Sequence, residues 1–357
     1  PFNDSNKNHL KNLFENKTLK IIGFDLKFTI KALLAHNIQI KGRLFDIQIA
    51  HYLLHPDLRN SLDIISENYL GINLKETSLL LGKGKTKLLF SEVEQSLVKN
   101  YACERAVTIF NLYKILKKEI DKAKIQDLFE KIELPLSKVL AKMEMEGIAL
   151  DVEMLSDFSA TLSKKLEKIT SKIYDLADAT FNISSPKQLG EILFEKMKLR
   201  KKAKKTKSGQ YATSEEELQK LTSHPIINEI LTFRAIKKLL STYVDALPNL
   251  VNPKTQKIHT TFNQSVAATG RLSSVNPNIQ NIPIRTQIGM KVREAFISRN
   301  SDFCLMAADY SQIELRIMAH LSQDAHLLHA FAHNLDIHRA TAAELFDVTL
   351  SEVTTEQ

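Results

Sequence analysis

The chain has 357 residues, 43% of them hydrophobic, which is enough for two or three domains with buried cores. Its net charge of +8 and pI of about 9.2 suit a polyanionic partner without requiring one. The two cysteines, Cys103 and Cys304, exclude a disulfide scaffold and fit a reducing, cytoplasmic compartment. No apolar run reaches the roughly 18 residues of a membrane span, and no basic-then-apolar leader opens the chain. Pro1 at the start, without a methionine, points to a piece of a longer protein.

Residues 19–24 read as a strand, followed by a helix from about Leu26 to His36. Helical spacing returns at 46–54 and 61–70, and a long amphipathic stretch runs from Ser91 to about Ile120. One strand among several helices is the pattern of an α/β domain whose first strands lie elsewhere. Pro135 breaks the periodicity. A helix over 136–145 ends at Glu146-Gly147, and a longer one follows with Leu155, Phe158, Leu162, Leu166, Ile169, Ile173 and Leu176 spaced by three or four. Ser184-Ser185-Pro186 is a helix start. A polar, flexible tip occupies 200–213, and Ser214-Glu215-Glu216-Glu217 has capping-box spacing ahead of a further helix. The last helix of this block covers about 225–247. From Ile258 the pattern changes to short strands and turns.

Four strings carry chemistry. Between Lys196 and Lys207, eight of twelve positions are Lys or Arg and none is acidic, with Lys201, Lys202, Lys204 and Lys205 at its centre. Such a finger can neutralise a phosphate backbone without reading sequence, or it is a solvated loop. Thr269-Gly270-Arg271-Leu272-Ser273-Ser274 and Pro277-Asn278-Ile279-Gln280-Asn281-Ile282-Pro283 present Arg, Asn and Gln, which can hydrogen-bond minor-groove acceptors; the same residues also populate ordinary turns. The apolar run Phe303 to Ala308 reads as a buried strand that delivers Asp309 to the start of a helix, a position suited to a half-buried metal ligand. Asp309 in that place could also serve as a helix-flanking charge. Ser311-Gln312-Ile313-Glu314 has capping-box spacing, and on spacing alone that is the reading for Glu314. The fourth string is Asp336-Ile337-His338-Arg339-Ala340-Thr341-Ala342.

Two further patterns are set aside. Gly82-Lys83-Gly84-Lys85-Thr86 contains a Gly-Lys-Thr, but Leu79 stands where a phosphate loop needs glycine. His326, His329 and His333 share a helical face, yet no cysteine or carboxylate completes a zinc set.

In order and spacing these strings, together with Arg293-Glu294-Ala295-Phe296 and Ala308 to Arg316, resemble the family A DNA polymerases of the bacterial DNA polymerase I type. The resemblance extends, more weakly, over the whole chain. It implies an α/β plus mainly α fold: a remnant exonuclease-like domain over 1–125, a helical thumb over 126–255 with its basic tip near 196–213, a partial palm with an antiparallel sheet over 256–322, and the start of the fingers over 323–357. It implies template-directed DNA synthesis in replication and repair, with primer–template DNA and deoxynucleoside triphosphates as partners, Mg²⁺ as cofactor, and a monomeric enzyme. Asp309 then matches the first metal-binding aspartate and Tyr310 supplies its carbonyl. Glu314 matches the residue that excludes a ribose 2'-hydroxyl, and Gln312, His338 and Arg293 lie with the nucleotide. Arg271, Asn278, Gln280 and Asn281 match residues that grip the primer–template, and the lysine-rich tip matches the segment that follows the duplex.

Two departures qualify these expectations. Where the proofreading site of the family carries aspartates, this sequence has Thr29, in Phe24-Asp25-Leu26-Lys27-Phe28-Thr29, and Arg105, in Tyr101-Ala102-Cys103-Glu104-Arg105. A hydroxyl and a cation cannot replace two metal-binding carboxylates, so no proofreading is expected, and Asp25, one position-shifted carboxylate, would not restore the site. The family's next string and its second catalytic aspartate would follow Gln357, so these 357 residues alone are expected not to polymerise, leaving duplex-DNA binding without catalysis, or a 3'-5' exonuclease against which Thr29 and Arg105 count, as the rival readings.

Overall fold

The computed structural model describes residues 4–82, 84–284 and 286–354; Pro1, Lys83 and Gln357 lie outside them. The chain divides into two compact units, 1–301 and 302–357.

The first unit opens with helix α1 (Asp4–Phe14), strand β1 (Lys20–Gly23), helix α2 (Leu26–Leu34), strand β2 (Arg43–Asp46) and helices α3 (Ile47–Leu54), α4 (Leu62–Leu70), α5 (Thr77–Leu81) and α6 (Gln95–Ala123). β1 and β2 pair in parallel, from Lys20 opposite Arg43 to Gly23 opposite Asp46. Sequence reading missed β2. Its closing residue, Asp46, organises the unit: its buried carboxylate accepts from the backbone N–H of Leu26 (2.6 Å), Gln48 (2.9 Å) and Ile49 (3.4 Å). One side chain therefore serves the first turns of both α2 and α3, where unpaired N–H groups need acceptors. Burial pushes its pKa up to about 6 against the pull of those N–H donors. Leu26, Ile30, Ile38, Phe45, Ile47, Ile65, Leu112 and Leu116 fill the core, closed by Phe129, whose ring meets Phe45 edge-on at 4.9 Å.

Pro135 does not interrupt the chain as expected. A π-helical turn at Leu128–Glu133 runs directly into α7 (Leu134–Glu146), which places the proline in the first helical turn, where its missing N–H is least needed. α7 contributes Leu134 and Ala141 to the first core. It stops at Gly147, whose φ of 64° and ψ of −174° belong to a region open essentially to glycine. A Cβ there would stand 2.6 Å from the Ile258 carbonyl oxygen.

Strand β3 (Ile148–Leu150) follows, then α8 (Val152–Ala177), α9 (Pro186–Glu191), α10 (Glu215–Gln219), α11 (Pro225–Leu239), β4 (Lys257–Ile258), β5 (Thr261–Asn263), β6 (Ser273–Val275), α12 (Gln287–Glu294) and β7 (Phe296–Ile297). β3 is the centre of an antiparallel sheet ordered β4-β3-β7, and β5 pairs antiparallel with β6. The predicted seam of α8 is buried at Leu155, Phe158, Leu162, Ile169 and Ile173 and packs with Ile226, Ile227, Ile230 and Phe233 of α11. At its end Ala177, four residues after Ile173, takes the buried place and Leu176 is exposed. Ser185 caps α9 with Pro186 in its first turn, as read from sequence. Ser214 precedes α10 but makes no side-chain cap, and Glu217 is turned to Lys220 at 2.9 Å, so the capping box is not formed.

The second unit holds α13 (Ile313–Ser322), α14 (Ala325–Ala332) and α15 (Ile337–Leu345). Asp324 caps α14 through Leu327 N–H (2.8 Å) and Asp336 caps α15 through His338 N–H (2.9 Å). Among the described residues no helix is long and apolar enough to cross a membrane.

Gly147→Ala is expected to lower the unfolding free energy by about 2 kcal/mol or more, from the forbidden φ/ψ and the clash with Ile258; an unchanged urea midpoint would show that the α7–β3 corner relaxes freely.

Candidate nucleic-acid interface

The lysine-rich segment is more ordered in the structure than its composition implied. A bridge pairs Lys205 with Tyr211, Thr206 N–H donates to Gln210 O (2.7 Å) and Ala212 N–H to Lys204 O (2.8 Å), with Gly209 turning the chain at φ 81°. The expected flexible tip is a small hairpin. Lys201, Lys202, Lys204 and Lys205 are all exposed on it, and the Lys205 ammonium lies 4.8 Å from the centre of the Tyr211 ring. Part of the charge is compensated within the fold. Glu217 draws Lys220, Arg200 and Lys204 around it, and the hydrogen bond from Lys220 holds its carboxyl below the usual range. A cavity of about 760 Å³ separates this hairpin from α11 and adds Arg234, Lys237 and Lys238 to the same basic wall.

The second polar string is built around Ser274, which is buried on β6. Its hydroxyl meets Thr260 Oγ1 at 2.7 Å, accepts from Ile279 N–H at 3.2 Å and reaches the Pro277 carbonyl at 3.1 Å. Asn278 turns its carbonyl oxygen onto Gln280 N–H (3.0 Å), so this residue does supply turn chemistry. Tyr243 anchors the end of the string by donating to Asn281 O at 2.5 Å. Arg271, Asn278, Gln280 and Asn281 are exposed along the resulting surface, and Arg293 is exposed in the last turn of α12. Within the first unit the fold therefore gives Arg271 and the Asn278–Asn281 turn a common support on the β5–β6 pair.

That support is held by a side chain absent from the sequence-derived set. Glu144, 1% exposed, accepts from Lys27 Nζ (2.5 Å), Lys31 Nζ (2.6 Å) and Phe262 N–H (2.8 Å). Burial raises its pKa, and the two ammonium groups with the Phe262 N–H outweigh that and keep it below the ordinary value. Nothing in a local reading signals it, since the partners lie more than a hundred positions away.

In the second unit the expected strand is not formed. Residues 303–310 are exposed and form no strand, and the described residues of this unit contain no strand for them to join. Asp309 is therefore solvent-facing rather than half-buried, and Tyr310 is 79% exposed. The helix cap falls on Gln312, left-handed at φ 50° and without a side-chain cap, so Ser311 is not the N-cap that the Ser311–Glu314 capping box requires. Arg316 folds back, its Nε donating to Ser311 O (3.0 Å) while its guanidinium covers Phe331. His338 is exposed in the first turn of α15. Of the set-aside histidines, His326 faces Glu344 at 3.6 Å and His329 stacks on His333; Gly84–Thr86 is a 3₁₀ turn.

Thr29 is half-buried on α2, and Arg105 on α6 covers the Tyr101 ring and donates to Lys75 O (3.2 Å). Asp25 is occupied at the start of α2, where it accepts from Phe28 N–H.

Residues 152–357 match the family model for DNA polymerase family A. The chain belongs to DNA polymerase family A. Residues 3–121 match the model for the 3'-5' exonuclease domain, so this family A chain carries an exonuclease-like region ahead of its polymerase part. It is 41% identical over 349 residues to DNA polymerase I of Bacillus subtilis (strain 168), covering 96% of this chain and 39% of that protein. To DNA polymerase I of Synechocystis sp. it is 44% identical over 334 residues, 91% of this chain and 33% of the relative. The POL domain of Pol1 from M. smegmatis, solved with DNA primer-template and dNTP, superposes with a TM-score of 0.86 at 34% identity, covering 100% of this chain and 59% of that one. The chain thus spans well under half the length of these curated relatives. Family A polymerases use divalent metal ions.

Glu144→Ala, which strands Lys27 at 12% exposure, is expected to cost about 3 kcal/mol in chemical unfolding. Lys201→Ala and Lys202→Ala, on the exposed hairpin, should each stay within about 0.5 kcal/mol of the parent; the reverse ranking would remove Glu144 from its structural role.

Proposed function

We propose that the protein bearing this sequence is a DNA-directed DNA polymerase of replication and repair, acting as a cytoplasmic monomer that adds deoxynucleotides to a primer 3'-hydroxyl. The observation that carries the reading is the Asp309–Arg316 string at the head of α13, inside the stretch that matches the polymerase family. Supporting it, the exposed set on the first unit (Arg271, Asn278, Gln280, Asn281 and the hairpin lysines) has the donors that a sequence-tolerant duplex-binding surface needs.

The organisation proposed is an exonuclease-like remnant over 1–125, a thumb over 126–255, part of the palm over 256–322 and the first fingers helices over 323–357. Asp309 and the Tyr310 carbonyl would hold Mg²⁺. Both offer hard oxygen donors, and the Asp309 carboxylate makes no hydrogen bond or ion pair among the described residues. The ions, when bound, supply activation of the 3'-hydroxyl and charge neutralisation on the departing pyrophosphate. Glu314 fills the space beside the sugar, so a 2'-hydroxyl meets a crowded wall without a free partner. His338, Gln312 and Arg293 orient the triphosphate. Arg271, Asn278, Gln280 and Asn281 hold the minor groove, and Lys201, Lys202, Lys204 and Lys205 neutralise the backbone behind it. Thr29 and Arg105 leave the exonuclease-like remnant without two of the carboxylates that metal-dependent removal of 3' nucleotides requires.

Primer extension by the complete gene product tests the assignment. Extension is expected to need Mg²⁺ and to fall by three orders of magnitude or more, roughly the loss of 4 kcal/mol of transition-state stabilisation, in Asp309→Ala. Salt-sensitive duplex binding without extension would instead mark a binding module. Glu314→Ala should raise incorporation of ribonucleotides relative to deoxynucleotides, on the order of tenfold or more. Unchanged sugar selectivity would confine Glu314 to the architecture of α13.

A further inference from the structure

The loop between β5 and β6, residues 264–272, carries Arg271 and is held from outside the polymerase-family match. Its Ala267 carbonyl accepts from the Tyr52 hydroxyl at 2.6 Å and from Gly270 N–H at 3.1 Å. The tyrosine therefore fixes the same oxygen that folds the turn immediately before Arg271, a turn in which Gly270 sits at φ 79°. Two residues earlier, Ser265 O accepts from Asn60 Nδ2 at 3.0 Å. Asn60 is itself oriented: its Oδ1 lies 2.5 Å from Nδ1 of the buried His51 ring, and since an amide oxygen can only accept, Nδ1–H donates and the amide nitrogen of Asn60 is left to point at the loop. The root of the loop is fixed separately, by Lys27 on Phe262 O and by Gln264, which donates to Glu133 O at 3.0 Å and accepts from Ser137 at 2.8 Å.

Tyr52 and Asn60 thus lie on α3 and in the turn after it, within the exonuclease-like region, and both act on backbone carbonyls of the loop that presents Arg271. A domain interface that served packing alone would bury apolar side chains against the hairpin. Here the tip of an exposed loop is instead held at two carbonyls by directional donors, which fix where the backbone runs. We propose that Tyr52 and Asn60 are positioning residues for primer–template binding: the exonuclease-like region sets the placement of Arg271, and through it the affinity for duplex DNA. The proposal rests on the reading of Arg271 as a duplex contact and adds a role for a region that the polymerase chemistry does not use.

The test compares Tyr52→Phe, Asn60→Ala, Arg271→Ala and each tether variant combined with Arg271→Ala, using the 357-residue chain and a fluorescent hairpin duplex with a 5' overhang. Anisotropy gives the Kd, and hydrogen exchange follows the amides of 266–272. Tyr52→Phe keeps the ring and removes one hydroxyl, so the core is retained. Each tether variant is expected to weaken duplex binding about fivefold, the equivalent of one hydrogen bond. Amide exchange should speed up at 266–272 and stay unchanged in α3 and α6. In the Arg271→Ala background the tether variants should add no further loss, because their effect passes through that side chain. If Arg271→Ala weakens binding while the tether variants bind as the parent does, the positioning role is wrong and the Arg271 reading stands. Tether losses that add fully to Arg271→Ala also overturn it, since the tethers would then act elsewhere. Parent-like binding by Arg271→Ala removes the reading on which the proposal is built, and the proposal with it.

Discussion

The buried carboxylate of Glu144 is the interaction on which the rest of the first unit depends. It ties together three separate pieces of chain: two lysines of α2, the helix α7 that carries it, and Phe262, the middle residue of β5. A carboxylate at 1% exposure is tolerable in a protein interior because it has three donors, two of them cationic. The geometry leaves little freedom to β5, and β5 with β6 supports every primer–template candidate from Arg271 to Asn281. The ion cluster therefore links the α/β core around Asp46 to a surface whose own side chains are almost all exposed. The basic hairpin stands on a different support, the α8–α11 core, and presents its charge on long, exposed lysines.

The second unit works under a different constraint. Strand formation is a pairing event: an isolated apolar run cannot satisfy its own backbone groups, however strong its β propensity. Residues 303–308 have the composition of a buried strand and lie exposed, and Asp309 with them. Helices carry no such requirement, because their hydrogen bonds are internal, so α13, α14 and α15 form with modest cores of Ala319, Ala330, Ile337 and Ala342. The aspartates that begin α14 and α15 need only local N–H groups. Asp336, at the head of the fourth string, is thus a helix cap as well as a motif residue.

What was legible in the sequence follows the same division between local and distant. The α8 seam, the Ser185-Pro186 start and the helices at 47–54 and 62–70 were readable because periodicity and caps are local. β2 was not: Arg43-Leu44-Phe45-Asp46 is four residues with no alternation, and it becomes a strand by pairing with β1. Pro135 misled because a break in pattern and a first-turn proline look alike without knowledge of the π-turn before it. The motif residues of the candidate interface can be named from sequence, since their identity is a matter of residue type and order. Glu144, Tyr52 and Asn60 were missed because their partners lie far along the chain, at separations of 117, 215 and 205 residues, and no spacing rule reaches that distance.

The exonuclease-like region is built on contacts that do not call for carboxylates at positions 29 and 105. Arg105 has the Tyr101 ring and the Lys75 carbonyl as partners, which hold the segment ahead of α5 against α6. A guanidinium there repels cations, yet it contributes to packing. Thr29 lies on α2 one turn before Leu33, in the helix whose lysines hold Glu144. A carboxylate at either position is not needed for the Asp46 caps, the β1–β2 pair or the Lys27 and Lys31 bonds to Glu144. The outer contacts with β5 and the Arg271 loop, Lys27 on Phe262 O and Tyr52 on Ala267 O, likewise need no metal site in the region.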